Sequence, residues 1–159
     1  VLLRAFAQLG RSDLQLRIAG DGSLRRDLET LSRELGIADR VTFLGTLPSL
    51  NVYDEFAEAL VFCGLSRSEA LGNVFLEAQA AGCAVVATNV GGIPDIVQNG
   101  VNGILVPPDD SVSASEAIGR LLNDHQLRDR LAAAGKEGKE TYDWGVIAEA
   151  YERLYQEVV

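Results

Sequence analysis

The 159-residue sequence contains no methionine, one histidine, two cysteines, four prolines and only two lysines, Lys136 and Lys139. Each scarcity excludes something. One histidine and two distant cysteines give no spacing that would ligate a metal. A Ser-His-Asp arrangement would have to use His125, which lies among Asn123, Asp124 and Gln126 and reads as a solvated linker residue. No apolar run approaches the ~18 residues of a membrane helix, and Val1–Gly10 reads as an amphipathic helix rather than a signal peptide. Fourteen basic against 23 acidic residues give a net charge of −9, with no basic stripe for nucleic acid. An anionic ligand would have to be held locally, for instance at a helix start. Cys63 and Cys83 each sit in an apolar stretch and read as buried free thiols, which implies a reducing, cytoplasmic setting. The missing methionine, with an opening already inside a helical pattern, points to a piece of a longer protein.

What remains is an ordinary globular composition, 47% hydrophobic and 23% charged. Helical spacing over Val1–Leu9, Leu24–Leu35, Val52–Ala59 and Val74–Ala81 alternates with strand-like runs at Leu14–Ala19, Val41–Leu44, Leu60–Leu65 and Ala84–Thr88. The third run, Leu60–Leu65, is continuously apolar, as in a strand covered on both faces. Gly91-Gly92-Ile93-Pro94 leads into a short helix, Gly103–Val106 is a fifth strand, and helices follow at Val112–Leu122, Gln126–Lys139 and Trp144–Val158. This alternation predicts an α/β fold, a Rossmann-like doubly wound parallel sheet with helices on both faces. Ligands of such sheets bind beyond the carboxyl ends of the strands. The loops of interest are therefore Gly20–Ser23, Gly45–Leu50, Ser66–Asn73 and Asn89–Asp95.

Within Ser66–Gly82, Glu69 precedes a helix and Glu77 lies inside it. Apolar neighbours all round predict that Glu77 is at least partly buried. A ribose diol would supply two hydroxyl donors; backbone N–H groups or an arginine would serve equally, and both remain open. Glu69 is either a sugar-hydroxyl acceptor or a carboxylate favoured by the helix dipole. Gly72-Asn73-Val74 opens the helix with free N–H groups that suit a phosphate. Gly20-Asp21-Gly22 lacks the third glycine of a dinucleotide fingerprint. Gly91-Gly92 reads as a turn before a proline, with ligand contact as the alternative. Trp144, Ile147, Ala148, Tyr151, Leu154, Tyr155 and Val158 share one helical face, for which packing is the default and a docking surface for an absent domain the alternative.

Taken together, Ile18-Ala-Gly-Asp-Gly-Ser23, Val41-Thr-Phe-Leu-Gly45, Glu69-x7-Glu77 with Leu71-Gly-Asn-Val74, Leu76-Glu-Ala-Gln-Ala-Ala-Gly82, Val85-Val-Ala-Thr88, Gly91-Gly-Ile-Pro-Asp-Ile-Val97, Asn102-Gly-Ile-Leu-Val-Pro107 and Tyr142-Asp-Trp144 resemble the C-terminal, donor-binding domain of GT-B glycosyltransferases of family 4. The resemblance implies a retaining, metal-independent transfer of a hexose-type sugar from a nucleotide-diphosphate sugar (UDP- or GDP-linked) to a glycan or lipid-linked acceptor, as in polysaccharide biosynthesis, without a cofactor. Glu69 would then bind donor-sugar hydroxyls and Glu77 the ribose. Backbone N–H groups at Leu71, Gly72, Asn73 and Val74 would meet sugar and diphosphate. Gly45, Thr46 and Leu47 would lie near the base, and Gly20 and Gly22 would line the cleft. A non-catalytic nucleotide-sugar binding module, or half of a sugar-nucleotide epimerase, are the alternatives.

The chain departs from the family at Ala70 and at Asp95, where glycine and glutamate are commoner. It also lacks the family's opening strand, with its Arg and Lys on the donor diphosphate, and the N-terminal acceptor domain. Residues 1–159 would then be a truncated donor domain with little or no transferase activity, peripheral to a membrane only through the absent domain. The absent strand is normally central. Its loss predicts a gap between the strands at Leu14–Ala19 and Leu60–Leu65, answered by rearranged pairing, by a strand from another copy in a swapped dimer, or by an artificially shortened sequence.

Overall fold

The structure, a computed structural model, describes residues 1–138 and 142–158. Five parallel strands carry the fold: β1 (Leu16–Ala19), β2 (Val41–Gly45), β3 (Val61–Gly64), β4 (Ala84–Thr88) and β5 (Ile104–Val106). Between and after them run α1 (Leu2–Gln8), α2 (Arg25–Glu34), α3 (Ser49–Glu58), α4 (Asn73–Ala80), α5 (Ile93–Ile96), α6 (Ser111–Asn123), α7 (His125–Gly138) and α8 (Trp144–Val158). Every predicted element is present. Lys139, the predicted end of α7, lies outside the described residues, and His125 begins α7, exposed, rather than sitting in a linker. A 3-10 turn at Ala38–Arg40 had no counterpart in the sequence reading.

The strands form two sheets, β1-β2 and β3-β4-β5. The predicted gap is therefore real, and pairing is not rearranged to close it. Among the described strands, β1 pairs only with β2, from Leu16 opposite Val41, and β3 pairs only with β4, from Val61 opposite Ala84.

Alternation along β4 explains the larger half. Ala84 and Val86 face a core built with Ala114, Ile118 and Leu121 of α6 and Leu127 and Leu131 of α7. Val85 and Ala87 face the opposite core of Phe56, Phe75, Ala78, Ile93 and Ile96 from α3, α4 and α5. The period of two thus buries both faces, and every β4 residue is buried. A third, smaller core joins Leu3 and Phe6 of α1 and Leu28 and Leu31 of α2 to Leu16, Ile18 and Val41. Ala5 of α1 belongs to the α6–α7 core, so α1 spans both sheets on one side. On the other side Arg17 of β1 reaches Glu55 of α3 at 2.5 Å.

Two helices end alike. After α2, Gly36 (φ 66°) follows the cap residue, and the N–H groups of Gly36 and Ile37 donate to Arg33 O and Ser32 O. After α4, Gly82 (φ 83°) and Cys83 donate to Gln79 O and Ala78 O. Both are Schellman ends, in which a left-handed glycine lets the chain turn back. The second delivers Cys83 directly into β4.

One packing expectation holds only in part, and another fails. β3 has apolar partners on both faces, yet it is only half-buried along its length, because the edge turned from β4 is unpaired. The α8 face does not pack: Trp144 is 82% exposed, and Tyr151, Leu154 and Tyr155 are all more than half exposed.

Candidate functional site

The predicted residues fall into two groups, one on each sheet. In the first, the N–H of Gly20 donates to Gly45 O at 2.7 Å, so the turn after β1 touches the end of β2. Gly20 (φ 119°) and Gly45 (φ 70°) both use backbone conformations that favour glycine. Arg25 locks this junction: its guanidinium donates to Asp21 and Glu29, each at 3.1 Å, and to Phe43 O. Those bonds, that to Glu29 foremost, raise its pKa above the ordinary arginine value. Arg25 went unnoticed in the sequence, although the four-residue spacing Asp21, Arg25, Glu29 would have revealed it. Gly22 and Thr46 are exposed and Leu47 is half-buried.

The second group lies beyond β3. Glu69 is half-buried, and its Oε1 accepts from the N–H of Ala70 at 3.1 Å. Leu71 is 49% exposed, Asn73 is exposed and Val74 half-buried. Gly72 is buried at φ 85°, immediately before α4, where an added Cβ would lie 2.7 Å from the Phe75 ring. The first bond of the helix runs from Phe75 N–H to Gly72 O at 2.9 Å, so the N–H groups of Asn73 and Val74 precede the intrahelical ladder.

Glu77 corrects the sequence reading. It is exposed, not buried. Phe75, Ala78 and Gln79 take the buried side of α4, while Glu77 stands one turn after exposed Asn73 on the outer stripe. The buried polar residue of α4 is Gln79, whose Nε2 donates to Asn102 O at 3.3 Å. Burial therefore gives no argument for a pocket at Glu77.

The Ser66–Asn73 loop is tied down at several points. Thr88, fully buried at the end of β4, donates its hydroxyl to Ser66 O at 2.6 Å. Gly92 N–H donates to Glu69 O at 3.2 Å. Arg67 pairs with Asp109 at 2.8 Å, and Asp109 adopts φ 57°. These tethers join residues 22 to 42 positions apart, which no local pattern reveals. Among the described residues, no hydrogen bond or ion pair joins the Gly20–Gly45 group to the Glu69–Glu77 group, and no cluster of metal-ligating side chains exists. An open cavity of about 380 Å³ lies past β5 between Asn89, Asn99 and Leu105–Pro108; it touches the Asn89–Asp95 loop at Asn89 but includes none of the residues assigned to the donor site.

The arrangement is thus a strand-loop-helix turn that carries a half-buried carboxylate and, at the helix start, N–H groups that donate to no partner among the described residues, at the carboxyl edge of a parallel sheet. Residues 1–138 match the family described as Glycosyl transferases group 1. The chain belongs to that family. The Corynebacterium jeikeium D-inositol 3-phosphate glycosyltransferase is 35% identical over 99% of this chain and 40% of its own length. The Mycobacterium leprae phosphatidyl-myo-inositol mannosyltransferase is 36% identical over 92% of this chain and 38% of its own length. Among solved structures, sucrose-phosphate synthase from Thermosynechococcus elongatus superposes with a TM-score of 0.85 at 30% identity, over 98% of this chain and 42% of that one. Anabaena HepE in complex with UDP-glucose gives 0.86 at 26% identity, over 98% and 44%. The fold is that of GT-B glycosyltransferases, and the chain spans about two-fifths of the curated relatives it matches. No helix among the described residues is long and apolar enough to cross a membrane.

Proposed function

We propose that this chain is the donor-binding half of a retaining, metal-independent glycosyltransferase that moves a hexose-type sugar from a nucleotide-diphosphate sugar, and that it transfers little or no sugar by itself. The observation that carries the reading is the turn from β3 to α4. It holds Glu69 half-buried, its carboxylate accepting from the Ala70 N–H, a few residues before the N–H groups of Asn73 and Val74, with Gly72 in the left-handed conformation between them. Glu69 accepts from sugar hydroxyls in this scheme. The N–H groups at the start of α4 take the diphosphate, whose charge grows as the glycosidic bond breaks and which fixed dipoles stabilise. Glu77, exposed on the same stripe of α4 as Asn73, accepts from the ribose hydroxyls. Gly45–Leu47 and Gly20–Gly22 contribute the wall toward the base. Family membership and the UDP-glucose bound by HepE support this choice of ligand.

The test is calorimetric. Glu77→Ala removes two charge-assisted hydrogen bonds and weakens UDP-glucose binding by about tenfold or more. Equal affinity in the variant and the parent chain refutes the role given to Glu77.

A further inference from the structure

In sequence, Gly91-Gly92 reads as a turn before a proline, with a ligand as the alternative neighbour. Its neighbour is the loop that carries Glu69. An added Cβ on Gly91 would lie 1.8 Å from Glu69 O, and one on Gly92 would lie 2.3 Å from Ala70 O. No real Cβ sits so close to a backbone oxygen. The Gly92 N–H donates to Glu69 O in the same contact. Two consecutive residues without side chains therefore let the turn that follows β4 lie directly on the backbone of Glu69 and Ala70.

The two glycines differ in a useful way. Gly91 has φ 54°, so it needs glycine for its conformation as well as for the contact. Gly92 has φ −83° and ψ 0°, a bridge-region conformation that is open to alanine as well as to glycine. Only the contact demands glycine at position 92.

We propose that Gly91-Gly92 is a positioning element: it sets the height and direction of the Glu69 carboxylate by direct backbone contact, and so governs recognition of the sugar rather than of the nucleotide. Glu69 is the sugar-facing group in the donor reading, so the ligand half of this inference rests on that reading; the loop half does not. Thr88 assists from below through Ser66 O, and Arg67–Asp109 holds the outer side. The three supports come from the last residue of β4 and from the segments that follow β4 and β5, so the carboxyl edge of the sheet acts as a mould for the loop.

The experiment compares the parent chain, Gly92→Ala, Glu69→Ala and the double variant, with Gly138→Ala as the control because a Cβ there meets nothing within 4 Å among the described residues. Amide exchange is read at residues 69–72 and 92, and affinities are measured for UDP-glucose and for UDP. Gly92→Ala speeds exchange at those amides by about tenfold while β5 is unaffected. It also lowers the preference for UDP-glucose over UDP by about the factor that Glu69→Ala does, and the double variant adds little. A substitution that merely loosened the fold would weaken both ligands alike.

Unaltered exchange at 69–72 in Gly92→Ala overturns the proposal whatever the ligands do. So does a full loss of sugar preference in Gly92→Ala on top of Glu69→Ala. If neither ligand binds the parent chain, the donor reading fails and the exchange result alone decides the positioning role. Should Gly92→Ala fail to fold, Thr88→Val is the substitute, since it removes the bond to Ser66 O at nearly constant volume. It gives faster exchange at 66–72 if the mould is real, and unchanged exchange if it is not.

Discussion

β4 and β1 are both strands of four or five residues in parallel pairs, yet one is wholly buried and the other alternates between half-buried and exposed. The difference lies in neighbours rather than in sequence. β4 has a strand on each side and an apolar core on each face. β1 has one strand, one core, and on its other face the exposed side chain of Arg17 paired to Glu55. The β3–β5 half thus has a core on each face but an open edge at β3, while the β1–β2 half is held mainly by α1 and α2. The cost of an unpaired strand edge is spread over β1 and β3, both of which keep backbone groups open.

The largest test of this contrast is core truncation. Phe75 is fully buried, packs against Phe62 with ring centroids 5.7 Å apart, and closes over Gly64 and Gly72. Phe75→Ala costs ~3–5 kcal/mol, and it lowers the melting temperature of the entire chain by about 10 °C. Phe6→Ala, in the smaller core beneath Arg40, loosens β1 and β2 first. Calorimetry with amide exchange separates a global transition from a local one. If both variants melt the whole chain as one unit, the two halves are not energetically distinct.

A smaller effect is expected at the open edges. Amides of β3 that face away from β4 exchange faster than any amide of β4, and those of β1 facing away from β2 behave likewise. Equal protection across β3 and β4 would show that something already covers the edge.

The smallest effect is chemical. Burial pushes the Cys83 thiol up to about 11 and the Cys63 thiol up to about 12. Both stay neutral in the folded chain where unfolded thiols, near 8.5, have begun to ionise. The contribution is intact below about pH 8.5 and is lost as pH rises toward 11–12, because only the unfolded state sheds protons in that window. Denaturant titrations at pH 7 and pH 10 should show a decline that Cys83→Ala reduces. A thiol reagent at pH 7 should label the unfolded chain far faster than the folded one.

Much of this was legible in the residues. Hydrophobic period and glycine punctuation located every strand, and the bounds of β4 and α8 coincide with those predicted. The break between β1 and β3 was likewise expected from the resemblance. Glu77 was misjudged because apolar neighbours in sequence do not identify which stripe of a short helix faces out. Asn73, one turn earlier, was the better guide. The supports of the Glu69 loop were invisible because they link segments far apart in the chain. A glycine pair looks the same in sequence whether it bends the chain or lets two backbones touch. The exposed face of α8 shows the opposite limit, since an amphipathic pattern predicts a partner without saying that the same chain supplies it.

The most direct measurement is a backbone amide NMR titration of the 159-residue chain with UDP-glucose. The donor-site account predicts shifts concentrated at Leu71–Val74 and around Glu77, with a second set at Gly45–Leu47. Shifts confined to the cavity lined by Asn89, Asn99 and Leu105–Pro108, or no shifts at saturating ligand, would contradict it.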